Sequence, residues 1–191
     1  MKIFPSLPDA PHLRDLYRRF PEHVRPLLEY HDMLLRAESP LSVAERELIA
    51  AYVSGLNACT FCFGAHKIMA QAFGVDPELI DSLLNDFDNA QIDEKMRPLL
   101  RYVAKLNATE SMTRMTSSDA KAVYDAGWSE RALFDAIEIC ALYNYMNRII
   151  EGAGVAFDYA AAPPSEAEIA ERRSRGYMDW GREIGVVDKK E

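Results

Sequence analysis

Three residues whose types and spacing could do redox chemistry lie within one octet of the sequence, CTFCFGAH at positions 59–66. Cys59 and Cys62 are three residues apart, and His66 follows Cys62 by four. Residues three and four apart on a helix project from the same face, so these side chains can act together. A thiolate near a helix N-terminus is stabilised by unpaired N–H groups, and a histidine one turn further along can take the thiol proton. The pattern predicts a thiol nucleophile with its own base.

The second cysteine of the pair suits a second chemical step. A thiolate that attacks a peroxide becomes a sulfenic acid, and a neighbouring thiol condenses with it to form a disulfide before over-oxidation occurs. Spacing alone leaves open which of Cys59 and Cys62 attacks first. The same two cysteines, with His66 and a carboxylate, could instead complete a zinc shell. Ligands crowded on one continuous helix do not easily surround an ion, so redox chemistry is favoured over a metal.

The elements that must position these residues are helices. Ser42 with Glu45 three residues later forms a capping-box pattern, which predicts a helix start. Gly55-Leu56-Asn57 interrupts that helix, and Asn57 is predicted to cap a second helix over about 58–73. The cysteine pair would then lie in the first turns of the second helix.

The rest of the chain predicts an all-α fold with two helical lobes, built around helices 42–73 and 130–153. Residues 1–160 are predicted to form a single domain, with residues 161–191 as a charged tail in which 166–182 form an exposed helix. Shorter helices are predicted over about 13–20, 22–36, 76–84 and 94–106, with another starting near Thr116.

Composition and charge exclude several classes of partner. The net charge of −8 would repel a nucleic-acid backbone. The N-terminal stretch lacks the apolar core of a secretory signal, and no run of 18 apolar residues occurs, so neither export nor a membrane is expected. A cytoplasmic protein is predicted, in which a cysteine pair is kept reduced.

The string Glu47-x₁₁-Cys59-x₂-Cys62-x₃-His66, with the flanking AYVSGLNAC, resembles the AhpD-like alkylhydroperoxidase family of the carboxymuconolactone decarboxylase superfamily. The later segment AGWSERALFDAIEICALYNYMNRI resembles the second half of its peroxidase-related members. The resemblance covers about residues 40–155.

This resemblance implies an all-helical, AhpD-like homo-oligomer that reduces hydroperoxides without a metal or bound cofactor. It makes Cys62 the peroxidatic thiol, Cys59 the resolving thiol, and His66 with Glu47 the proton relay. It also implies that a protein-borne dithiol, such as a lipoyl group, reduces the disulfide again. Glu47 can reach the site only if the chain turns near Gly55. The best-studied members of the family carry a histidine at the position of Phe61.

Other polar and aromatic residues are assigned to structure. Cys140 is expected to be a buried packing residue, and His31 to lie in the core or an interface. Asn144, Asn147 and Arg148 are expected to bridge the core rather than to line a pocket. His12 and His23 are expected to be exposed. The aromatic residues are expected to pack in the core or an interface, with an apolar substrate mouth as the alternative: Tyr52, Phe61, Phe63 and Phe73.

Two other functions remain open. The wider superfamily includes decarboxylase-type enzymes that handle lactones and need no cysteine pair. A non-catalytic oligomer could use the disulfide as a redox sensor of its own association. The intact cysteine pair with His66 favours the peroxidase.

Overall fold

The computed structural model describes residues 2–108, 114–162 and 164–188, which form ten helices and no strand. The all-α prediction is therefore confirmed. None of the described helices is long and apolar enough to cross a membrane. The helices are α1 (Leu13–Arg19), α2 (Val24–Leu35), α3 (Val43–Leu56), α4 (Thr60–Ala72), α5 (Pro77–Asn85), α6 (Met96–Asn107), α7 (Ser117–Asp125), α8 (Glu130–Ala153), α9 (Glu166–Ser174) and α10 (Tyr177–Glu183).

Several helix ends follow directly from local sequence chemistry. The predicted capping box opens α3: the Ser42 hydroxyl accepts from the Glu45 N–H at 3.2 Å, and the Ser42 N–H donates to the Glu45 carboxylate at 2.6 Å. At its other end, α8 stops at Gly154, whose φ of 67° lies in the left-handed region that glycine adopts without a steric penalty.

The break between α3 and α4 corrects one prediction. Asn57 does not cap α4; it ends α3, where its N–H donates to the Val53 carbonyl at 3.0 Å. Cys59 is the N-cap of α4, and its own N–H donates back to the Ser54 carbonyl at 3.0 Å. Ala58 between them has a φ of 53°, which costs a non-glycine residue about 1–2 kcal/mol. This tight reversal places α4 alongside α3.

Helix α3 is the centre of the hydrophobic core. Ile49, Ala50, Ala51 and Val53 are all completely buried, so the helix has almost no solvent-facing side over that stretch. It packs against both α4 and α8, and small alanines allow neighbouring helices to approach closely. The helices predicted for the two lobes, 42–73 and 130–153, therefore share one continuous core.

The C-terminal segment differs from the single exposed helix predicted over 166–182. It forms two helices: α9 has no fully buried residue but packs against α4 through the half-buried Ile169, and α10 packs against α2. Ile184 and Val187, which lie just after the end of α10, are buried, with 6% and 8% exposure. Of the tail predicted over 161–191, Pro163 and residues 189–191 lie outside the described residues.

Asp32 on α2 holds the first turn of α10 in place. Its two carboxylate oxygens accept hydrogen bonds from the backbone N–H groups of Tyr177 at 2.6 Å and Met178 at 2.9 Å. These N–H groups have no partner inside their own helix, so the carboxylate replaces a cap. A Cβ on Gly176 would lie only 2.8 Å from the same carboxylate, so this close approach requires glycine. Asp32 lies far from α10 in the sequence, so no local sequence pattern predicts that it anchors this helix.

We expect Asp32→Ala to lower the free energy of unfolding by about 1–3 kcal/mol, because it removes two capping hydrogen bonds. The matched control is Asp125→Ala, which breaks only an exposed ion pair with Lys121 and should cost less than about 0.5 kcal/mol. Urea unfolding of both variants measures the difference. Equal midpoints for the two variants would show that Asp32 does not anchor α10.

Candidate active site

The reversal between α3 and α4 brings Glu47 and His66 together. The Glu47 carboxylate on α3 lies 2.6 Å from Nδ1 of His66 on α4. Gly55 in the last turn of α3 makes room for α5, because a Cβ there would lie 2.5 Å from the side chain of Leu84. The chain thus turns just after Gly55, as the predicted contact between Glu47 and His66 requires.

Glu47 is fully buried and binds two partners at once. Its Oε2 accepts from His66, and its Oε1 accepts from Nη1 of Arg36 at 2.5 Å. Burial alone would raise the pKa of the carboxyl, but the His66 and Arg36 partners outweigh burial and hold the pKa below its usual value. Glu47 therefore stays ionised in the core, and it fixes both partners.

The contact with Glu47 determines which nitrogen of His66 is available for chemistry. A carboxylate can only accept, so Nδ1 carries the hydrogen and Nε2 presents its lone pair when the ring is neutral. The ring is held further by Tyr143, with ring centroids 4.4 Å apart and an interplanar angle of 73°. His66 is 8% exposed and lies one turn along α4 from Cys62. Its orientation suits a base directed away from Glu47.

Both cysteines of the pair are buried, reduced thiols in the first turn of α4. Cys59 at the N-cap is 0% exposed, and Cys62 is 3% exposed. Only Cys62 contributes to the lining of the large cavity described below. A molecule that enters this cavity can therefore reach the sulfur of Cys62, while Cys59 lies behind it.

The two thiols differ in acidity as well as in access. The neighbouring Cys62 thiol donates toward the Cys59 sulfur and lowers the pKa of Cys59, although burial opposes this effect. The same interaction, together with burial, raises the pKa of Cys62. The pair shares one proton, which resides on Cys62 in the first ionised state. Acidity alone favours Cys59 as the thiolate, whereas access favours Cys62 as the attacking group.

A cavity of about 390 Å³ leads to Cys62. Four of the buried side chains in its lining carry the polar groups closest to the relay, and we call them the inner end: His31, Cys62, His66 and Tyr143. The walls are mainly aromatic or thioether side chains: Tyr17, Phe61, Met69, Met146, Tyr159 and Trp180. The rim carries charges of both signs, contributed largely by α9: Glu168, Glu171, Arg172 and Arg175. Such a cavity suits a small organic molecule with one polar group.

His12 is not exposed as predicted but packs beside Phe61 in the cavity wall. Its ring lies 5.2 Å from the Phe61 ring, and its Nδ1 accepts from the Arg14 N–H at 3.1 Å as the cap of α1. Burial, reinforced by the charge of Arg14, lowers the pKa of His12 to about 4. Of the four aromatic residues expected in the core or an interface, Phe61 alone lines the cavity, where it fits the alternative of an apolar mouth and lies next to a neutral histidine.

A network of asparagines supports the turn behind the cysteine pair. The Asn57 side chain donates to Asn147 at 2.9 Å and accepts from Asn107 at 2.9 Å, while Asn144 donates to Asn107 at 2.6 Å. The network joins the end of α3 to α6 and α8, which helps to compensate for the strained backbone at Ala58. As predicted, Asn144 and Asn147 bridge the core and do not line the cavity.

Cys140 is 2% exposed on α8 and also stays out of the cavity lining, as predicted for a packing residue. Burial raises the pKa of its thiol to about 11.

Among the described residues, no group of three or more His, Cys, Asp or Glu side chains is placed to hold a metal ion. Both carboxylate oxygens of Glu47 are already engaged by Arg36 and His66.

Sequence reasoning missed Arg36, which completes the buried chain of charges. It lies at the C-cap of α2, and its guanidinium packs between the rings of Phe73 and Tyr177 at 5.5 and 5.1 Å. No local pattern distinguishes Arg36 from an exposed arginine, because every contact that buries it comes from another element. Tyr177, from the predicted exposed tail, was missed for the same reason.

Comparison with known proteins adds a partial match to a family model and a fold. Residues 21–105 match the model of the Carboxymuconolactone decarboxylase family. No curated protein matches the chain.

Two solved structures share the architecture. One is an uncharacterized peroxidase-related protein from Silicibacter sp. TM1040, with 25% identity, a TM-score of 0.66, and coverage of 83% of this chain and 78% of that chain. The other, described as an alkylhydroperoxidase AhpD core and an uncharacterized peroxidase-related protein, comes from Ralstonia eutropha JMP134. It has 22% identity, a TM-score of 0.67, and coverage of 82% and 77%. The chain therefore has an AhpD-like fold.

We expect Glu47→Gln to lower the free energy of unfolding by about 3–5 kcal/mol at neutral pH, because it leaves the buried Arg36 charge without its carboxylate. The control is Glu45→Gln, which weakens only the exposed capping box and should cost about 1 kcal/mol or less.

The pH dependence of this loss of stability tests whether Glu47 is ionised in the folded protein. The folded protein depresses the pKa of Glu47, so its stabilisation is present above the usual value of 4.5 and disappears as the pH falls through the folded pKa. The difference between parent and Glu47→Gln in urea unfolding should therefore shrink in acid. A pH-independent difference would contradict an ionised Glu47.

Proposed function

We propose that this chain, whose residues 21–105 match the model of the Carboxymuconolactone decarboxylase family and whose fold is AhpD-like, is a thiol-dependent peroxidase. It reduces hydroperoxides through the dithiol of Cys59 and Cys62 with a proton relay of His66 and Glu47. One observation carries the proposal: a cavity of organic-molecule size ends on Cys62, with the fixed His66 one turn away and a second thiol behind.

The first step requires a base, because the pKa of Cys62 is raised in the resting pair. His66 Nε2 takes the Cys62 proton, and Glu47 holds the resulting imidazolium through Nδ1. The thiolate then attacks the terminal oxygen of the hydroperoxide. An S–O bond forms and the O–O bond breaks, with its electron pair leaving on the alkoxide. His66 returns the proton to the alkoxide, which gives an alcohol and a sulfenic acid on Cys62.

The second step uses the more acidic thiol. Cys59 gives up its thiol proton and attacks the Cys62 sulfur, which forms the disulfide and breaks the S–O bond; the departing hydroxide takes up that proton and leaves as water. One hydroperoxide and two thiols thus give one alcohol, one water and one disulfide.

An external dithiol completes the cycle, and a lipoyl group on a partner protein is the reductant we propose. Because only Cys62 lines the cavity, the entering thiolate attacks Cys62 and releases Cys59. The reducing environment of the cytoplasm would maintain the dithiol, and we place the reaction there.

The cavity walls favour an organic hydroperoxide as substrate. Phe61 occupies the position where the best-studied family members carry a histidine, and its ring packs 5.4 Å from that of Tyr159. Proton transfer in this chain therefore relies on His66, and the position of the missing histidine contributes apolar surface instead. Aromatic and thioether walls would bury the organic part of the substrate.

Self-association is also proposed, because large apolar side chains remain exposed on α2 and α8. Met33 is 69% exposed, Phe134 52% and Tyr145 51%. Tyr30 and Glu138 connect the two helices at this surface through a hydrogen bond of 3.0 Å. Exposed apolar side chains grouped on neighbouring helices are typical of faces that bind another protein copy.

A decarboxylase-type enzyme is the second candidate, favoured by the description of the matched family. Such an enzyme needs no cysteine pair. A double Ser variant of Cys59 and Cys62 that lost none of its native activity would support this candidate. The placement of Cys62 at the end of the cavity favours the peroxidase.

We expect the parent protein to consume cumene hydroperoxide catalytically with dithiothreitol as reductant, and Cys62→Ser to lose at least about 10³-fold of this rate because it lacks the attacking thiol. Cys59→Ser should still react with the hydroperoxide at Cys62 but should form no internal disulfide, so its sulfenic acid must be reduced directly by dithiothreitol.

The matched control is Cys140→Ser, which removes a buried thiol outside the cavity and should retain the parent rate. Peroxide loss is followed against a blank with dithiothreitol alone. A parent rate no higher than the blank, or a Cys62→Ser variant as fast as the parent, would refute the peroxidase.

A further inference from the structure

His31 is a buried histidine at the inner end of the cavity that the proton relay does not use. It lies on α2, is 3% exposed, and lines the cavity together with Cys62 and His66. The sequence predicted only a core or interface role for it. Burial is confirmed, but the residue is buried against the space in which a substrate would react.

The hydrogen bond of His31 to its own helix shows which nitrogen is available. Nδ1 lies 2.7 Å from the Leu27 carbonyl, which can only accept, so Nδ1 carries the hydrogen. Nε2 on the other side of the ring then presents a lone pair, and none of the hydrogen bonds among the described residues reaches it. Burial lowers the pKa of His31 to about 4, so the ring remains neutral near pH 7. His31 is thus a fixed hydrogen-bond acceptor.

Two aromatic rings hold His31 in its orientation. The Tyr177 ring lies 4.8 Å away with an interplanar angle of 42°, and the Tyr143 ring meets it edge-on at 6.3 Å. Tyr177 is itself positioned by the Asp32 carboxylate, through its backbone N–H. The acceptor is therefore preorganised by α8 and α10 rather than free to rotate.

The proton relay of His66 and Glu47 offers the substrate no free hydrogen-bond acceptor, and His31 supplies one. Once His66 has taken the Cys62 proton, both of its ring nitrogens are donors, and Arg36 is always a donor. A hydroperoxide has one O–H donor, on the oxygen that the thiolate attacks. A donor for the departing oxygen and an acceptor for this O–H would together orient the O–O bond.

We propose that Nε2 of His31 accepts the hydrogen bond from the O–H of the hydroperoxide and turns the attacked oxygen toward Cys62. This inference rests on the proposed peroxidase function. The S–O bond forms and the O–O bond breaks as described, while the hydrogen stays on the attacked oxygen and becomes the hydrogen of the sulfenic acid. His31 thus binds the substrate and transfers no proton.

Two substitutions separate this role from packing. His31→Phe keeps an aromatic ring between Tyr143 and Tyr177 but removes the acceptor. His31→Gln supplies an amide oxygen near the position of Nε2. The control is His23→Phe, at the N-cap of α2 and outside the cavity lining. Urea unfolding identifies any variant that is not folded, and His31→Leu replaces His31→Phe in that case.

Two reagents probe the Cys62 thiol in each variant by stopped flow. Cumene hydroperoxide has the O–H donor, whereas methyl methanethiosulfonate reacts with the same thiolate and has no hydrogen-bond donor. We expect His31→Phe to slow oxidation by the hydroperoxide about 10-fold to 100-fold, the range for losing one hydrogen bond in a buried site. We expect no change with the thiosulfonate, and a partial recovery of hydroperoxide oxidation in His31→Gln.

Equal losses with both reagents would overturn the inference, because they would assign His31 to packing or to the state of the thiol. An unchanged hydroperoxide rate in His31→Phe would overturn it directly. Failure of the proposed function looks different: the parent protein itself would react with the thiosulfonate but not with the hydroperoxide.

Discussion

A single buried carboxylate, Glu47, sets the geometry on which the rest of the site depends. An ionised carboxylate in a protein core is costly unless charged partners satisfy both of its oxygens. Arg36 from α2 and His66 from α4 supply those partners, at 2.5 and 2.6 Å. Three helices are therefore tied at one point, and the histidine next to the dithiol has its tautomer and direction fixed.

The site is built mainly from helix ends, where backbone groups and side chains are available for more than helix formation. Arg36 follows α2, Cys59 precedes α4, and Asn57 ends α3. The inner end of the cavity is polar and its walls are aromatic. The first turn of α10, held by Asp32, places Tyr177 against His31 and Arg36. A molecule in the cavity would therefore meet apolar walls and, at the inner end, the Cys62 thiol.

Sequence reasoning predicted what local pattern determines. The capping box at Ser42, the helical spacing of Cys59, Cys62 and His66, and the burial of Cys140 all follow from neighbouring residues. The cap of α4 was wrong because the asparagine network, drawn from α6 and α8, decides the role of Asn57. Arg36 and the packing of α10 were missed because their partners lie far away in the chain. The contact of Glu47 with His66 was predicted only through the family resemblance.

The central claim is that Cys62, and not the more acidic Cys59, meets the hydroperoxide. Cys59→Ser and Cys62→Ser proteins treated with one equivalent of cumene hydroperoxide and trapped with dimedone test this claim, because dimedone labels sulfenic acids. Peptide mapping should find the label on Cys62 in the first protein, with Cys140 unlabelled, and almost no label on Cys59 in the second. Rapid labelling of Cys59 with none on Cys62 would contradict the account.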